Sequence, residues 1–312
     1  MEPNNQTIEF ILLGFTDQQQ KSVGMFLLFL IIYIITLIGN IIIMVVIRGE
    51  PELHTPMYFF ISNLSFVDIC FTTVTVPRLL ANFLMEVRSI SFTGCFTQMY
   101  FFVAMGTTES LILAVMAYDR WVAICKPLHY TEVMSPLFCK GLAPGSWLAA
   151  SLHTLLHCIT ISKLSYCSDN HIHHFFCDMT SLLKLSCSDT STNELLIFTE
   201  GSLFIVGPFV FISVSYIIIV SSILRLYSGE GRWQTFSTCS SHLTVVSLFY
   251  GTIIFIYFRP SLSYSLQYDR IVSVVYSMIT PMLTPIIYSL RNKEVREALR
   301  KAIQGIIPSK DK

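Results

Sequence analysis

The chain has 312 residues, of which 53% are hydrophobic and 13% are charged, with a mean hydropathy of +0.62 and a formal net charge of zero. Soluble domains of this length carry about 25% charged residues, so the composition excludes an ordinary soluble domain and indicates a membrane protein. The balanced charge gives no reason to expect a nucleic-acid partner, and none is predicted.

Seven apolar stretches are long enough to cross a bilayer. The first, residues 23–47, has no charged residue and exceeds the roughly 20 residues that a helix needs to span the hydrocarbon layer. Because such stretches are about twice the length of a barrel strand, we predict an all-α membrane protein built as a seven-transmembrane helix bundle, with lipid as its surroundings. The predicted spans are 23–47, 57–80, 96–124, 141–161, 195–226, 236–258 and 271–290.

The basic residues predict the orientation of this bundle. When the segments at Arg48, 120–140, 225–232 and beyond 290 are placed on one side, that side holds 13 of the 20 lysine and arginine residues. An excess of basic residues marks cytoplasmic segments. We therefore predict an extracellular N-terminus at 1–22, a transmembrane domain at 23–290 and a cytoplasmic tail at 291–312. The sequon that begins at Asn5 then lies outside, where it can be glycosylated.

The predicted tail contains one helical pattern. Between residues 292 and 306 the apolar side chains fall on one face of a helix and the basic side chains fall elsewhere. This pattern is typical of a short amphipathic helix that lies on the inner leaflet of the membrane.

Placing a polar or ionisable side chain in the hydrocarbon layer costs free energy, so the residues found there usually have a function. Asn40 lies in the first span, Asp68 in the second and Glu109 in the third. The two carboxyl groups are at mid-depth, where they could share a cation, a proton or water and so bias a two-state bundle. A structural polar cluster that joins the helices is an equally good interpretation.

Nine cysteines divide into two groups. Five lie within or beside the spans and are predicted to be free thiols that pack as small apolar residues. The other four, Cys95, Cys167, Cys177 and Cys187, map to the outer face, where the environment is oxidising. Four cysteines allow three pairings, and their positions do not select one.

Five strings of residues lie within the predicted spans or at their ends, and Gly39-Asn40 in the first span leaves only the fourth span without a match. In chain order they are LHTPMYFFISNLS at 53–65, MAYDRWVAIC at 116–125, Ser215-Tyr216, GRWQTFSTCSSHL at 231–243 and PMLTPIIY at 281–288. Together they resemble the signatures of the olfactory receptors, a family of rhodopsin-like G-protein-coupled receptors. The chain departs from that family's usual pattern at Trp121, Gln234, Thr235 and Thr284, where the family more often has Tyr, Lys, Ala and Asn.

The resemblance implies a receptor of the plasma membrane. Its ligand would drive helix six outward and open a cleft for a stimulatory G protein of the olfactory type, which raises cyclic AMP. The implied coupling residues are Asp119, Arg120, Tyr216 and Tyr288. The resemblance also implies disulfide bonds Cys95–Cys177 and Cys167–Cys187, which would pin the second outer loop as a lid above a pocket.

The pocket is predicted by counting along the helices from Arg120. Residues spaced by three and four share one face, and the resemblance adds Met179 and Ser277. The predicted ligand contacts are Phe102, Val103, Gly106, Thr107, Met179, Glu200, Phe204, Tyr250, Ile253, Ile254, Tyr257 and Ser277. This lining is mostly apolar and aromatic, so it suits a small, largely hydrophobic volatile molecule held chiefly by burial. Glu200 is the exception, since a carboxylate there would favour an amine or a hydroxyl group.

Three alternatives remain beside an odorant receptor. Histidines 171, 173 and 174 with Cys177 and Asp178 have metal-ligand spacing, although a cysteine in a disulfide bond cannot bind metal as a thiolate. We therefore expect a structural disulfide bond rather than a metal site, and no cofactor, while a weak site made of the three histidines alone stays open. Catalytic motifs are lacking, so an enzyme is not expected. The runner-up is a rhodopsin-like receptor for an amine or a peptide. Phe102 stands where an amine receptor needs an acid, and a peptide receptor needs a more polar, open vestibule.

Overall fold

The computed structural model describes residues 9–15, 23–85, 88–167, 170–226, 229–257 and 266–306. Within these ranges the chain forms seven long helices, a shorter helix near the C-terminus and a small sheet. The all-α class is confirmed, whereas the sheet was not predicted.

The first four long helices have clear start signals. They are α1 (Val23–Gly49), α2 (Pro56–Leu84), α3 (Phe92–Cys125) and α4 (Pro136–Ser162). Proline opens α2 and α4, where its missing N–H costs nothing. The Ser91 hydroxyl caps α3 by accepting a hydrogen bond from the Gly94 amide at 3.1 Å. The α1–α2 connection holds the short 3₁₀ turn Pro51–Leu53, and the α3–α4 connection holds Pro127–His129 and Tyr130–Val133.

Two of the remaining helices contain a π turn. Helix α5 consists of Ser191–Gly201, the π segment Ser202–Val206 and Gly207–Leu226, while α7 consists of Leu266–Val274, the π segment Val275–Ile279 and Thr280–Arg291. Helix α6 spans Gly229–Tyr257, α8 spans Lys293–Ile306, and a short helix Met179–Leu185 precedes α5. A π turn inserts an extra residue, so side chains beyond it are rotated from the positions that regular spacing predicts.

The long helices pack as a closed bundle around α3. Helix α3 contacts α2, α4, α5 and α6, and α7 packs against α1, α2 and α6. Among the described residues, five stretches are long and apolar enough to cross a membrane: Val23–Gly49, Pro56–Leu84, Phe92–Cys125, Ser191–Arg225 and Arg270–Ser289. Helix α4 is as long as α1 but more polar, and α6 carries the shorter apolar stretch Cys239–Phe255. Large apolar side chains such as Ile31 and Ile38 are exposed on α1, as expected of a lipid-facing surface.

A three-stranded sheet covers one end of the bundle. Strand β1 (Glu9–Leu12) lies between β2 (Ser89–Ser91), which is antiparallel to it, and β3 (His171–Ile172), which is parallel. The side chains of Phe10 and Leu12 are fully buried. Part of the polar N-terminal segment is thus built into the fold, and Asn5 lies outside the described residues.

Helix α8 has the predicted amphipathic pattern. The Asn292 side chain caps it by accepting a hydrogen bond from the Glu294 amide at 3.0 Å. Val295 and Ala298 are buried, and the Tyr58 hydroxyl donates to Glu294 and to Asn292. The helix is therefore anchored to α2 by side-chain contacts.

Candidate ligand pocket and coupling centre

The end of the bundle that carries the sheet, called here the disulfide end, is closed by a pinned loop. Both predicted disulfide bonds are present: Cys95–Cys177 joins α3 to the α4–α5 connection, and Cys167–Cys187 closes that connection on itself. The side chain of Gln98 joins the loop to α2, because its amide donates to the Val74 carbonyl and its oxygen accepts from the Cys177 amide, each at 3.0 Å. The α4–α5 connection is therefore held as a lid.

Aromatic rings fill the space beneath the lid. Phe176 from the lid packs on Phe102 of α3 with ring centres 4.4 Å apart, and Phe102 in turn stacks on Phe71 at 4.8 Å. Tyr276 meets both Phe71 and Phe102 edge-on. A Cβ atom added at Gly106 would collide with the Tyr276 hydroxyl. Glycine at this position lets α7 approach α3 closely.

Ser110 joins three helices just below these rings. Its hydroxyl donates to the Phe204 carbonyl of α5 at 2.9 Å and lies 2.8 Å from the Tyr250 hydroxyl of α6. Tyr250 also packs against Phe209. Ser110 and Tyr276 were not predicted as site residues. Ser110 lies one helical turn below Thr107 on the same face, so extending the count along α3 by one step would have found it.

The predicted contacts differ in how deeply the structure buries them. Phe102, Gly106, Thr107, Tyr250, Ile253 and Ser277 are buried, and Val103, Met179 and Phe204 are half-buried. Ile254 is 43% exposed on the outside of the bundle, so the structure does not bring it to this group. Glu200 is half-buried and interacts electrostatically with His157 of α4. The side chain of Tyr257 lies outside the described part of the chain.

The predicted polar cluster is buried at the middle of the bundle. The Asn40 amide donates to the Pro281 carbonyl at 3.1 Å and so joins α1 to α7. Asp68 and Glu109 are buried near each other, and neither carboxylate oxygen of Asp68 has a hydrogen-bond partner among the described residues. The Thr284 hydroxyl, at the position where the family usually has Asn, donates to the Thr280 carbonyl at 3.0 Å and lies near the Asp68 carboxylate.

The opposite end of the bundle, called here the Arg120 end, carries the predicted coupling residues. The guanidinium of Arg120 lies 3.8 Å from the buried Asp119 carboxylate, which also accepts a hydrogen bond from the Tyr130 hydroxyl at 2.7 Å. Burial, together with the nearby Asp119 charge, raises the pKa of Tyr130, so this phenol stays a donor. Asp119 therefore ties the α3–α4 connection to the end of α3.

A second linkage closes the space between α5 and α6. The Tyr216 hydroxyl lies 2.7 Å from Nδ1 of His242, and Nε2 of His242 lies 3.1 Å from the Leu113 carbonyl of α3. His242 is fully buried, and the predicted coupling residue Tyr288 is buried as well. His242 was within a matching string but was not singled out. An outward movement of α6 has to break its hydrogen bonds.

The histidine-rich part of the lid is arranged as a packing element. His174 stacks on Phe175, and its Nε2 atom lies 3.1 Å from the Ser273 hydroxyl of α7. His171 and His173 are exposed. Because Cys177 is bonded to Cys95, a metal site that uses its thiolate is excluded. Among the described residues, no group of three or more His, Cys, Asp or Glu side chains could hold a metal ion.

The packing of His174 predicts a pH dependence of the lid. Burial, with a smaller contribution from Arg270, lowers the pKa of His174 to about 3, well below the ordinary value of about 6.5. The neutral ring is the folded form, so its stabilisation is complete above about pH 6.5 and is lost as the pH falls toward 3. We expect the thermal unfolding midpoint of the purified protein to fall more between pH 7.5 and 5.5 for wild type than for His174→Gln. Equal falls in the two proteins would contradict this prediction, and His173→Gln serves as the exposed control.

Comparisons with known proteins agree on one family. Residues 29–305 match the family model of the olfactory receptors. The chain is 53% identical to olfactory receptor 1f45 of Rattus norvegicus over 99% of this chain and 100% of that protein. It is 51% identical to olfactory receptor 1L6 of Homo sapiens over 96% of this chain and 86% of that protein.

A solved structure supports the same fold. The crystal structure of squid rhodopsin superposes with a TM-score of 0.71 at 21% sequence identity, covering 95% of this chain and 88% of that one. The chain therefore belongs to the olfactory receptors, a family of seven-helix G-protein-coupled receptors of the plasma membrane rather than of enzymes.

Proposed function

We propose that this receptor binds small, largely hydrophobic volatile molecules beneath the lid and activates a stimulatory G protein of the olfactory type, which raises cyclic AMP. The observation that carries this proposal is the buried aromatic and apolar cluster at Phe102, Tyr250 and Ile253 under a disulfide-pinned loop. Burial of apolar ligand surface contributes about 25 cal/mol per Å² to the free energy of binding. One or two polar groups would orient the ligand.

The orientation of the chain follows from the charge distribution. Because the basic residues collect beyond the Arg120 end, that end would face the cytoplasm and the disulfide end the outside. Segment 1–22 would then lie outside with a usable glycosylation site at Asn5, the receptor domain 23–290 within the membrane and the tail 291–312 inside. Leu128, which is 92% exposed beside Arg120's helix, would then be available to the G protein.

A receptor for amines or peptides remains the second candidate. An amine receptor needs an acid in the ligand-facing part of α3, but Phe102 occupies that part and packs against Phe176 of the lid. A cyclic-AMP reporter screen of chemically diverse odorants, with biogenic amines and short peptides as comparison sets, tests the choice. Responses confined to amines or peptides would overturn the proposal.

Thr107 provides a test of the pocket. It is buried on the predicted ligand face of α3, and losing one hydrogen bond to a ligand costs about 1 kcal/mol, which is about fivefold in affinity. We expect Thr107→Ala to shift the odorant dose response about fivefold at unchanged surface expression. Thr108→Ala is the matched control, since the Thr108 hydroxyl donates within its own helix to the Ala104 carbonyl. Unchanged potency in Thr107→Ala would count against this pocket.

Trp121 provides a test of coupling at the Arg120 end. The Lys126 ammonium lies 4.8 Å from the centre of the Trp121 ring, so this departure from the family pattern holds the start of the α3–α4 connection. Cation–π contacts at exposed sites are worth about 0.5–1 kcal/mol and are strongest for tryptophan. We expect Trp121→Tyr to lower maximal cyclic-AMP signalling about twofold, and Lys126→Gln to change it in the same direction. Identical curves for wild type and Trp121→Tyr would refute this role.

A further inference from the structure

Residues 9–15 run across the lid and are called here the N-terminal strap. The strap consists of strand β1 and the three residues that follow it. Its backbone amides donate to three lid carbonyls in succession, in the pairs Ile11–Asn170 at 2.8 Å, Leu13–Ile172 at 2.9 Å and Gly14–His174 at 3.1 Å. The strap therefore holds the backbone of the lid up to the residue that precedes Phe175.

Buried side chains anchor the strap. Phe10 and Leu12 are fully buried and belong to the apolar cluster that surrounds the Cys95–Cys177 disulfide bond. The Phe10 ring meets the Tyr166 ring edge-on, with ring centres 5.4 Å apart. The ends of a chain are usually poorly ordered unless such contacts tie them down. The strap is thus part of the core of the lid rather than a loose terminus.

The strap then turns at Gly14 and reaches the first helix. Gly14 has a φ of +57°, in the left-handed region that glycine adopts at little cost. Beyond this turn the Phe15 ring lies between two others. It stacks on Phe29 of α1 with ring centres 5.7 Å apart and on Phe175 of the lid at 5.6 Å. Phe15 therefore joins the lid to α1.

Aromatic contacts continue from Phe15 to the pocket. Phe175 packs against its neighbour Phe176 with ring centres 4.9 Å apart, and Phe176 packs on Phe102, a predicted ligand contact, at 4.4 Å. Phe175 and Phe176 are both buried. Because buried side chains are closely packed, a change in the position of Phe175 has to be accommodated by Phe176 and by the pocket wall at Phe102.

We propose that the N-terminal strap is a positioning element of the ligand pocket, and that Phe15 is the residue through which it holds Phe175 and Phe176 of the lid against Phe102. This inference rests on the proposed function, because the pocket concerned is the proposed odorant site. If only receptors with a packed lid bind tightly, the apparent affinity falls with the fraction of packed lids. Saturating odorant shifts the lid back to the packed position, so the maximal response is retained.

Replacing Phe15 tests this role. Phe15→Ala removes both ring contacts, and we expect the odorant concentration for half-maximal cyclic AMP to rise about fivefold to tenfold at an unchanged maximal response. Phe15→Tyr keeps the ring and should stay within about twofold of wild type. Phe26→Ala is the matched control, because Phe26 is also half-buried but packs on Phe83 of α2 at 6.3 Å. Unchanged potency in Phe15→Ala, or an equal loss in Phe26→Ala, would overturn the proposal.

Gly14 offers an independent pair of variants. Alanine is strained at a φ of +57°, whereas asparagine adopts the left-handed region more readily. We expect Gly14→Ala to lower the odorant potency in the same direction as Phe15→Ala, and Gly14→Asn to lie closer to wild type. Surface expression measured in parallel separates a change in potency from a loss of folded receptor. Equal potency of Gly14→Ala and wild type would contradict the role of the strap.

Hydrogen exchange on the purified full-length receptor without odorant reports on the lid directly. The Cys177 amide is buried and donates to the Gln98 side chain, so its exchange requires the lid to leave α3. Phe15→Ala should speed this exchange about fivefold or more, whereas Phe26→Ala should not. Equal exchange in wild type and Phe15→Ala would overturn the positioning role. Because this measurement uses no odorant and no G protein, its failure is distinct from a wild-type receptor that gives no cyclic-AMP response, which would contradict the proposed function.

Discussion

Replacing Gly106 with alanine should weaken the odorant response about tenfold. The added methyl group would meet the Tyr276 hydroxyl, and the ring that carries this hydroxyl is packed against Phe71, Phe102 and Phe249. Overpacking of this kind costs about 1–3 kcal/mol, whereas alanine gains only about 0.5–1 kcal/mol over glycine in a helix. The net effect is destabilising, and it falls where α3 and α7 face the predicted ligand. A cyclic-AMP dose response normalised to surface expression measures it.

A second substitution that removes the Tyr276 hydroxyl should relieve the clash with the added methyl group. Tyr276→Phe removes the oxygen atom, and the next ring atom lies 3.7 Å from the added carbon, which is an ordinary contact. We expect the double variant Gly106→Ala with Tyr276→Phe to recover most of the loss relative to Tyr276→Phe alone, as a double-mutant cycle would show. Gly145→Ala is the matched control, because nothing lies within 4 Å of the added methyl group there. Additive effects at residues 106 and 276 would show that the two positions do not meet.

Length and hydropathy were sufficient to predict the bundle. The first span was predicted to end at residue 47, and helix α1 ends at Gly49. The agreement is close because the helix carries no charged residue before Arg48. Helix α6 begins at Gly229, seven residues before the predicted span, because a helix continues into water after its apolar stretch has ended. Strand β1 could not be predicted, since its four residues acquire their partners from β2 and β3 far along the chain.

The candidate site was predicted at the level of helices and less well at the level of helix faces. Ile253 is buried and its neighbour Ile254 is exposed. Neighbouring side chains on a helix point about 100° apart, so the sequence does not say which of the two faces inward until the rotation of α6 about its axis is known. Glu200 and Phe204 were placed on one face by regular spacing, but Phe204 lies within the π segment Ser202–Val206, where that spacing does not hold.

Removing the Cys95–Cys177 disulfide bond should cost more than removing Cys167–Cys187. The two bonds close loops with sequence separations of 82 and 20 residues, for which chain entropy gives about 4.5 and about 3.3 kcal/mol. The first bond is also fully buried, and the lid residue next to it, Phe176, packs on Phe102. The two cysteines of the second bond are exposed. We expect Cys95→Ala with Cys177→Ala to abolish surface expression or odorant response.

Both cysteines of a bond are replaced by alanine in each variant, so that no unpaired thiol is left to form another bond. Cys167→Ala with Cys187→Ala should retain a measurable response with a lower thermal unfolding midpoint, because Gln98 and the β1–β3 pairing still hold the lid over α3. Gln98→Ala in the wild-type background should then weaken the response while both disulfide bonds remain intact, since the buried Cys177 amide loses its acceptor. If both double-alanine variants lost expression equally, loop closure alone would account for the stabilisation. The close packing of the lid on α3 would then have no separate role.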